Sequence, residues 1–282
     1  MRLKRHSGIC ALALSLLPLA TSCLSEPEAP PTMAVIDGWF DSDGYPVVQF
    51  TASLEPSQQD QSIADKMIRW GLVTISDGDT TIVMTGAYDR RYFPPFRYYT
   101  TGMTGVPGKT YTVTVKYEDL YAEASCLMPV PTPIDSITIE RIEGNDTLRA
   151  GNLHFTAPAD VPAYYYLQMR DDAPGSRPYP TMLGTARAEV AGAKMTIPLF
   201  NPKNQLDSLD FIPQLKVGQR VQVKLCRITE EVYEFWNSYD NATMFGGSQF
   251  LTEPGGGLGG NVSGGYGIWS PQGVASEYIR VE

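Results

Sequence analysis

The sequence predicts a mainly β protein of two β-rich domains, and three observations carry that prediction. Short runs of β-branched and aromatic residues alternate with Gly, Asp and Pro turn signals over nearly the whole chain after residue 33. Within one of them, Tyr111, Val113, Val115 and Tyr117 alternate with Thr112, Thr114 and Lys116, the period of a strand with one buried face. Three prolines at alternate positions, Pro129, Pro131 and Pro133, then interrupt the pattern with a stiff connector.

The chain opens with Arg2, Lys4 and Arg5, followed by an apolar run from Ile9 to Ala20. That run has signal-peptide length and is too short for an ordinary membrane span. It ends Leu19-Ala20-Thr21-Ser22-Cys23, and small residues before a cysteine resemble the lipobox of bacterial lipoproteins. The pattern prefers leucine three places before the cysteine, where this chain has Ala20. The resemblance implies a signal peptide at 1–22 and acylation of Cys23, several acyl chains together holding the protein on a membrane. Residues 23–32 then read as a lipid anchor and a Pro-rich spacer, extended and unable to pack. Glu26 and Glu28 resemble the acidic signal that sends some lipoproteins to the outer face of the outer membrane.

Residues 33–130 are expected to form an immunoglobulin-like or transthyretin-like antiparallel sandwich. Its strands lie in TMAVIDGWF, YPVVQFTASL, MIRWGLVTIS, TTIVMTG, KTYTVTVKY and LYAEASCLM. The linker is placed at 131–135. Residues 136–282 form a second β-rich domain, with strands in DSITIERI, NLHFTAP, AYYYLQMR, AKMTIPLF, QRVQVKLCRI and a last one at SEYIRV. It holds one amphipathic helix over about 230–239. Thr229 is its N-cap, Glu230 and Glu231 suit the first turn, and Val232, Phe235, Trp236 and Tyr239 form an apolar stripe assigned to the core.

Processing narrows the chemistry. Without the signal the chain keeps one histidine, His154, and two cysteines beyond the acylated one, Cys126 and Cys226. A zinc site of two or three histidines or of four cysteines cannot be built from that set. A catalytic triad would need His154, which reads as part of a strand. Cys126 and Cys226 could form a disulfide in an oxidising compartment, but, far apart in sequence and on different predicted domains, they read rather as two buried free thiols. The whole chain carries a net charge of −9, from 22 basic and 31 acidic residues; loss of Arg2, Lys4 and Arg5 leaves 19 against 31, a net charge of −12. Such a surface repels nucleic-acid phosphates, so no nucleic-acid partner is expected.

Three motifs are decoys. Gly255, Gly257 and Gly260 fit the spacing of a dinucleotide fingerprint, but Pro254 precedes them and no helix follows. Gly108-Lys109-Thr110 resembles the tail of a phosphate loop, yet a strand follows it. Asp41-x-Asp43-Gly44 lacks the further oxygens of a calcium loop and reads as a turn. No catalytic residue, metal or cofactor is indicated.

VIDGWFDSDGYPVVQFTASL, the stretch from IRWGLVTISDGD through RYFPPFRYYT to KYEDLYAEA, PTPIDSI, EEVYEFWNS and NVSGGYGIWSPQG all resemble segments of one lipoprotein family, domain of unknown function 4249. Ser270-Pro271 departs from the pattern of close relatives after the tryptophan. The resemblance implies an outer-membrane lipoprotein, exposed at the cell surface and working beside a TonB-dependent receptor of the SusC-like kind. It implies no catalytic residues. A role as a non-enzymatic accessory in ligand capture or uptake is therefore expected, the alternative being a structural or adhesive surface protein with no transporter.

One patch stands out as a candidate contact surface, YDRRYFPPFRYYT. It sets Arg90, Arg91 and Arg97 among Tyr92, Phe93 and Phe96, residue types enriched at interface hot spots, with Pro94-Pro95 expected to form an exposed kink.

Overall fold

A computed structural model of the protein describes residues 31–54, 62–173, 175–201, 212–245 and 260–282, with side chains left aside at 63 and 241–245. The expected signal peptide, Cys23, most of the expected spacer, Gly255 and Gly257 lie outside the described residues. Residues Pro31–Glu282 form one compact unit.

Eight strands lie in the first half: β1 (Ala34–Asp41), β2 (Val47–Ala52), β3 (Leu72–Ser76), β4 (Thr81–Val83), β5 (Thr85–Tyr88), β6 (Phe96–Tyr99), β7 (Thr110–Tyr117) and β8 (Leu120–Leu127). Eight follow: β9 (Ile134–Ile142), β10 (Asn145–Thr156), β11 (Ala163–Asp171), β12 (Tyr179–Ala188), β13 (Lys194–Leu199), β14 (Leu215–Lys216), β15 (Arg220–Ile228) and β16 (Gly265–Arg280). The helix α1 spans Glu230–Phe245, longer than its apolar stripe predicts. The Thr229 carbonyl accepts the Tyr233 amide at 3.0 Å, which opens the first turn.

The strands build three sheets. A large one runs β12-β11-β15-β16-β1-β2-β6-β5, and two smaller ones are β4-β3-β7-β8 and β10 with β9, β13 and β14. Each small sheet packs on one half of the large one. Val73, Ile75, Tyr111, Val113 and Val115 meet Ile36, Phe40, Val48 and Phe50 in a first core. Leu153, Phe155, Ile197 and Leu199 meet Tyr165, Leu167, Met169 and Val223 in a second. The expected one-faced strand therefore holds for β7, whereas β11 is covered on both faces. Its Tyr164 and Tyr166 join the first core beside Val232 of α1, and its Tyr165, Leu167 and Met169 fill the second.

The connector placed at 131–135 lies where the chain passes from β8 to β9. The two sandwiches nevertheless share a strand. β16 pairs in parallel with β1 over Gly265–Gln272 and then antiparallel with β15 over Gly273–Arg280. The last strand is thus 16 residues long and takes in Ser270-Pro271, well beyond the SEYIRV segment that sequence alone identifies. Its proline is tolerated because the partner strand changes at that point, leaving Pro271 paired on one side. Close approach to β1 demands glycine: Gly267 has φ +109°, and a Cβ there would stand 1.9 Å from the Ile36 carbonyl oxygen.

Cys126 and Cys226 are both free and buried, as expected. Burial pushes their thiols up to about 11 and about 12. In the native protein both are expected to resist alkylation at pH 8, reacting only in denaturant; labelling of either at the rate of an exposed thiol would contradict the packing.

Candidate functional site

β1 separates its side chains cleanly. Ile36, Gly38 and Phe40 face the first core, so Asp37, Trp39 and Asp41 share the opposite face. The parallel register sets Ile268, Ser270 and Gln272 of β16 beside them. On the antiparallel side, Lys224 of β15 faces Gln168 of β11, and Tyr166 faces Cys226. Where the two sandwiches meet, Asp37, Trp39, Asp41, Tyr166, Gln168, Lys224, Ile268 and Ser270 line a cavity of about 330 Å³, with Gln272 and Cys226 outside its lining. Tyr92 and Phe93, from the segment between β5 and β6, border it, as do Arg177 and Tyr179 at the start of β12 and Trp236 of α1.

The walls are aromatic. Trp39 and Tyr92 stack with ring centroids 5.8 Å apart and planes 15° apart. Tyr166 and Trp236 stack at 5.2 Å and 8°. The Arg177 guanidinium sits 3.5 Å from the Tyr92 ring centroid and also faces Trp39 and Tyr179, while one of its N–H groups donates to the Arg91 carbonyl at 3.0 Å.

Four charges line the cavity, and they differ in what they touch. Lys224, 7% exposed, bonds Asp41 at 2.6 Å, and Asp41 also accepts from Gln272 Nε2. Burial is the largest single influence and would lower the lysine's pKa, but the Asp41 charge, the Cys226 sulfur and the Asp41 hydrogen bond together outweigh it and the net shift is upward. The Asp37 carboxyl is open to the cavity and makes no hydrogen bond with the described residues. Desolvation by the surrounding cavity walls raises its pKa against the opposing charge of Arg177.

Two polar atoms in the walls have no partner among the described residues. Ser270 Oγ belongs to a residue only 3% exposed, and Trp236 Nε1 is likewise buried. Leaving such groups unpaired costs about 1–3 kcal/mol each, so natural structures keep few without a reason.

A carboxyl with a raised folded-state pKa opposes folding when it ionises. Its contribution is neutral below the unfolded value of 3.8 and becomes unfavourable as pH rises through the folded pKa. Asp37→Asn is therefore expected to raise the midpoint of thermal unfolding at pH 7 and leave it unchanged near pH 3. A lower midpoint at pH 7 would show that the carboxylate has a stabilising partner.

The predicted contact patch is divided by the fold. Tyr92 and Phe93 reach the cavity, Phe93 remaining 70% exposed at its border. Arg97 is held inside, bonding Asp89 at 3.1 Å and lying over Tyr99 at 4.4 Å, and Phe96 packs edge-on against Tyr98. Arg91 pairs with Asp89 at 2.7 Å and Arg90 is exposed, neither lining the cavity. Pro94 is buried instead of exposed, because its carbonyl accepts from Gln49 Nε2 at 2.7 Å. The helical stripe is divided as well, with Val232 in the core and Trp236 in the cavity wall. His154 stands between the Thr138 and Thr196 hydroxyls, 3.0 Å from each, as a cross-strand residue. Asp41-x-Asp43-Gly44 forms the expected turn, the Gly44 amide bonding the Asp41 carbonyl at 3.0 Å.

A second hollow of about 580 Å³ lies between residues 65–70 and 117–120, beside the 87% exposed Trp70. None of the unpartnered buried atoms lies in its wall. Among the described residues no group of three or more His, Cys, Asp or Glu could hold a metal ion.

The sequence matches one family model, Domain of unknown function (DUF4249), over residues 24–277. No curated protein matches it.

Proposed function

The chain belongs to the family described as domain of unknown function 4249, and from that premise we propose that it is a lipid-anchored, non-enzymatic binding protein of the outer-membrane surface. It captures a small ligand in the cavity between its sandwiches and passes it to a TonB-dependent transporter. The observation that carries the reading is the cavity itself: aromatic walls around a carboxylate free of hydrogen bonds, with a buried hydroxyl and an indole N–H lacking partners among the described residues. Small-molecule sites combine apolar walls with a few convergent polar groups in this way, and often lie between domains.

The same residues weigh against hydrolysis. Asp37 and Asp41 are four residues apart on one strand, so at 3.3 Å per residue their Cα atoms stand about 13 Å apart. Glycoside-cleaving carboxyl groups sit roughly 5–9.5 Å from each other, so both side chains would have to lean together along the strand to act as a pair. Asp41 is moreover neutralised by Lys224.

The test is a native pull-down of the full-length protein, tagged at its C-terminus and extracted from its own membranes in mild detergent. The expected result is a large β-barrel receptor recovered in near-equal amount. Recovery of the protein alone at several detergent strengths would overturn the transporter partnership and leave a structural or adhesive role.

A further inference from the structure

We infer that the cavity takes a neutral, hydroxyl-rich ring, a sugar of mono- to disaccharide size; this rests on the binding reading above. Size sets the first limit. About 330 Å³ is at the small end of ligand sites, and at roughly 30 Å³ per water it has room for about eleven waters. One sugar ring, or a ring with part of a second, fills such a space.

Charge sets the second limit. The wall holds two carboxylates and two cations, so it carries no net charge, and each cation stands against one of the carboxylates. Lys224 is bonded to Asp41. Arg177 lies on the Tyr92 ring and donates to the Arg91 carbonyl. An anionic or zwitterionic ligand would have to compete with Asp41 for Lys224 or with Asp37 for Arg177. A cation would meet Asp37 only within the opposing field of Arg177. A neutral ligand avoids both costs.

Hydrogen bonding then selects among neutral compounds. The groups without partners among the described residues are a carboxyl that accepts, an indole N–H that donates and a serine hydroxyl that does either. Neighbouring hydroxyls on a ring satisfy all three, each donating to one group while accepting from another. The flat rings of Trp39, Tyr179 and Trp236 offer apolar surface to the C–H faces of the same ring. A purely apolar ligand would leave Asp37 and Ser270 desolvated and unpaired.

The experiment is calorimetric titration of the detergent-solubilised full-length protein. One panel contains glucose, galactose, mannose, N-acetylglucosamine, maltose and cellobiose. The other contains glycylglycine, glutamate, arginine and acetylcholine. Binding is expected from the neutral panel only. Asp37→Asn is expected to weaken it tenfold or more, the weight of a hydrogen bond to a charged group, without lowering thermal stability. Ser270→Ala is expected to weaken it several-fold. Binding of the second panel in an Asp37-dependent manner, with none from the first, would overturn the sugar assignment and leave the capture role standing. Silence from both panels would also overturn it, and the pull-down then decides independently whether the transporter partnership survives.

Discussion

Asp41→Ala is expected to destabilise the protein by about 3–5 kcal/mol, the cost of removing one partner from a buried ion pair. The substitution leaves Lys224 almost wholly buried with its ammonium unpaired, and it removes the acceptor of Gln272 Nε2, whose Oε1 already lacks a partner among the described residues. Urea denaturation at several pH values checks both the size and the cause. In the native protein the raised lysine pKa gives a contribution that is full below about 10.5 and fades only as pH rises through the higher folded value. In the variant the desolvated lysine has a lowered pKa, so the folded state gains as pH rises toward 10.5. The gap between the two proteins should therefore narrow in alkali. Asp41→Ala combined with Lys224→Met should recover much of the loss, since an apolar replacement of both partners leaves no buried charge. A single variant within about 0.5 kcal/mol of the native protein would mean that water reaches the lysine.

Gly267→Ala is the second large effect, expected at about 3 kcal/mol or more from a left-handed backbone and a hard contact together. The new Cβ would lie 1.9 Å from the Ile36 carbonyl oxygen, so either β1 or β16 must move, and the parallel ladder between them opens. Gly192 is the control: it too has positive φ, but no atom lies within 4 Å of the place a Cβ would take. Alanine there should cost only about 1 kcal/mol. Equal destabilisation of the two variants in guanidinium would rule out the contact as the cause.

Much of the β architecture was legible because most strands carry their own signal: alternation in β7, turn residues at Asp77-Gly78-Asp79, and a proline connector between the halves. The site was less legible. Tyr92 and Phe93 lay in a patch visible as a cluster of arginines and aromatics, but what surrounds them arrives from residues 177, 236 and 268–270, which no local pattern joins. Two signals could have helped. In VIDGWFD, Asp37, Trp39 and Asp41 alternate with the core residues and so mark a polar face of an otherwise buried strand. In VQVKLC, a lysine stands inside an apolar run, which asks for a buried counter-charge. The full length of β16 was hidden by Pro271 and by glycines that read locally as a loop. Its true role, joining two sheets with opposite polarity, depends on a partner more than 200 residues away.

That partnership has a consequence for the order in which the molecule can assemble. β1 is the first of the described strands and its parallel neighbour is the last, so an emerging chain displays one open edge of β1 throughout synthesis. The first sandwich cannot be closed by its own residues, since Trp269, which donates to the Tyr111 carbonyl at 2.9 Å from the middle of its core, comes from the far terminus. Loop closure on that scale is slow compared with local hairpins. The protein should thus acquire its native form only once the whole chain is present, and a version ending before residue 265 would expose an apolar sheet edge where the complete one has a wall.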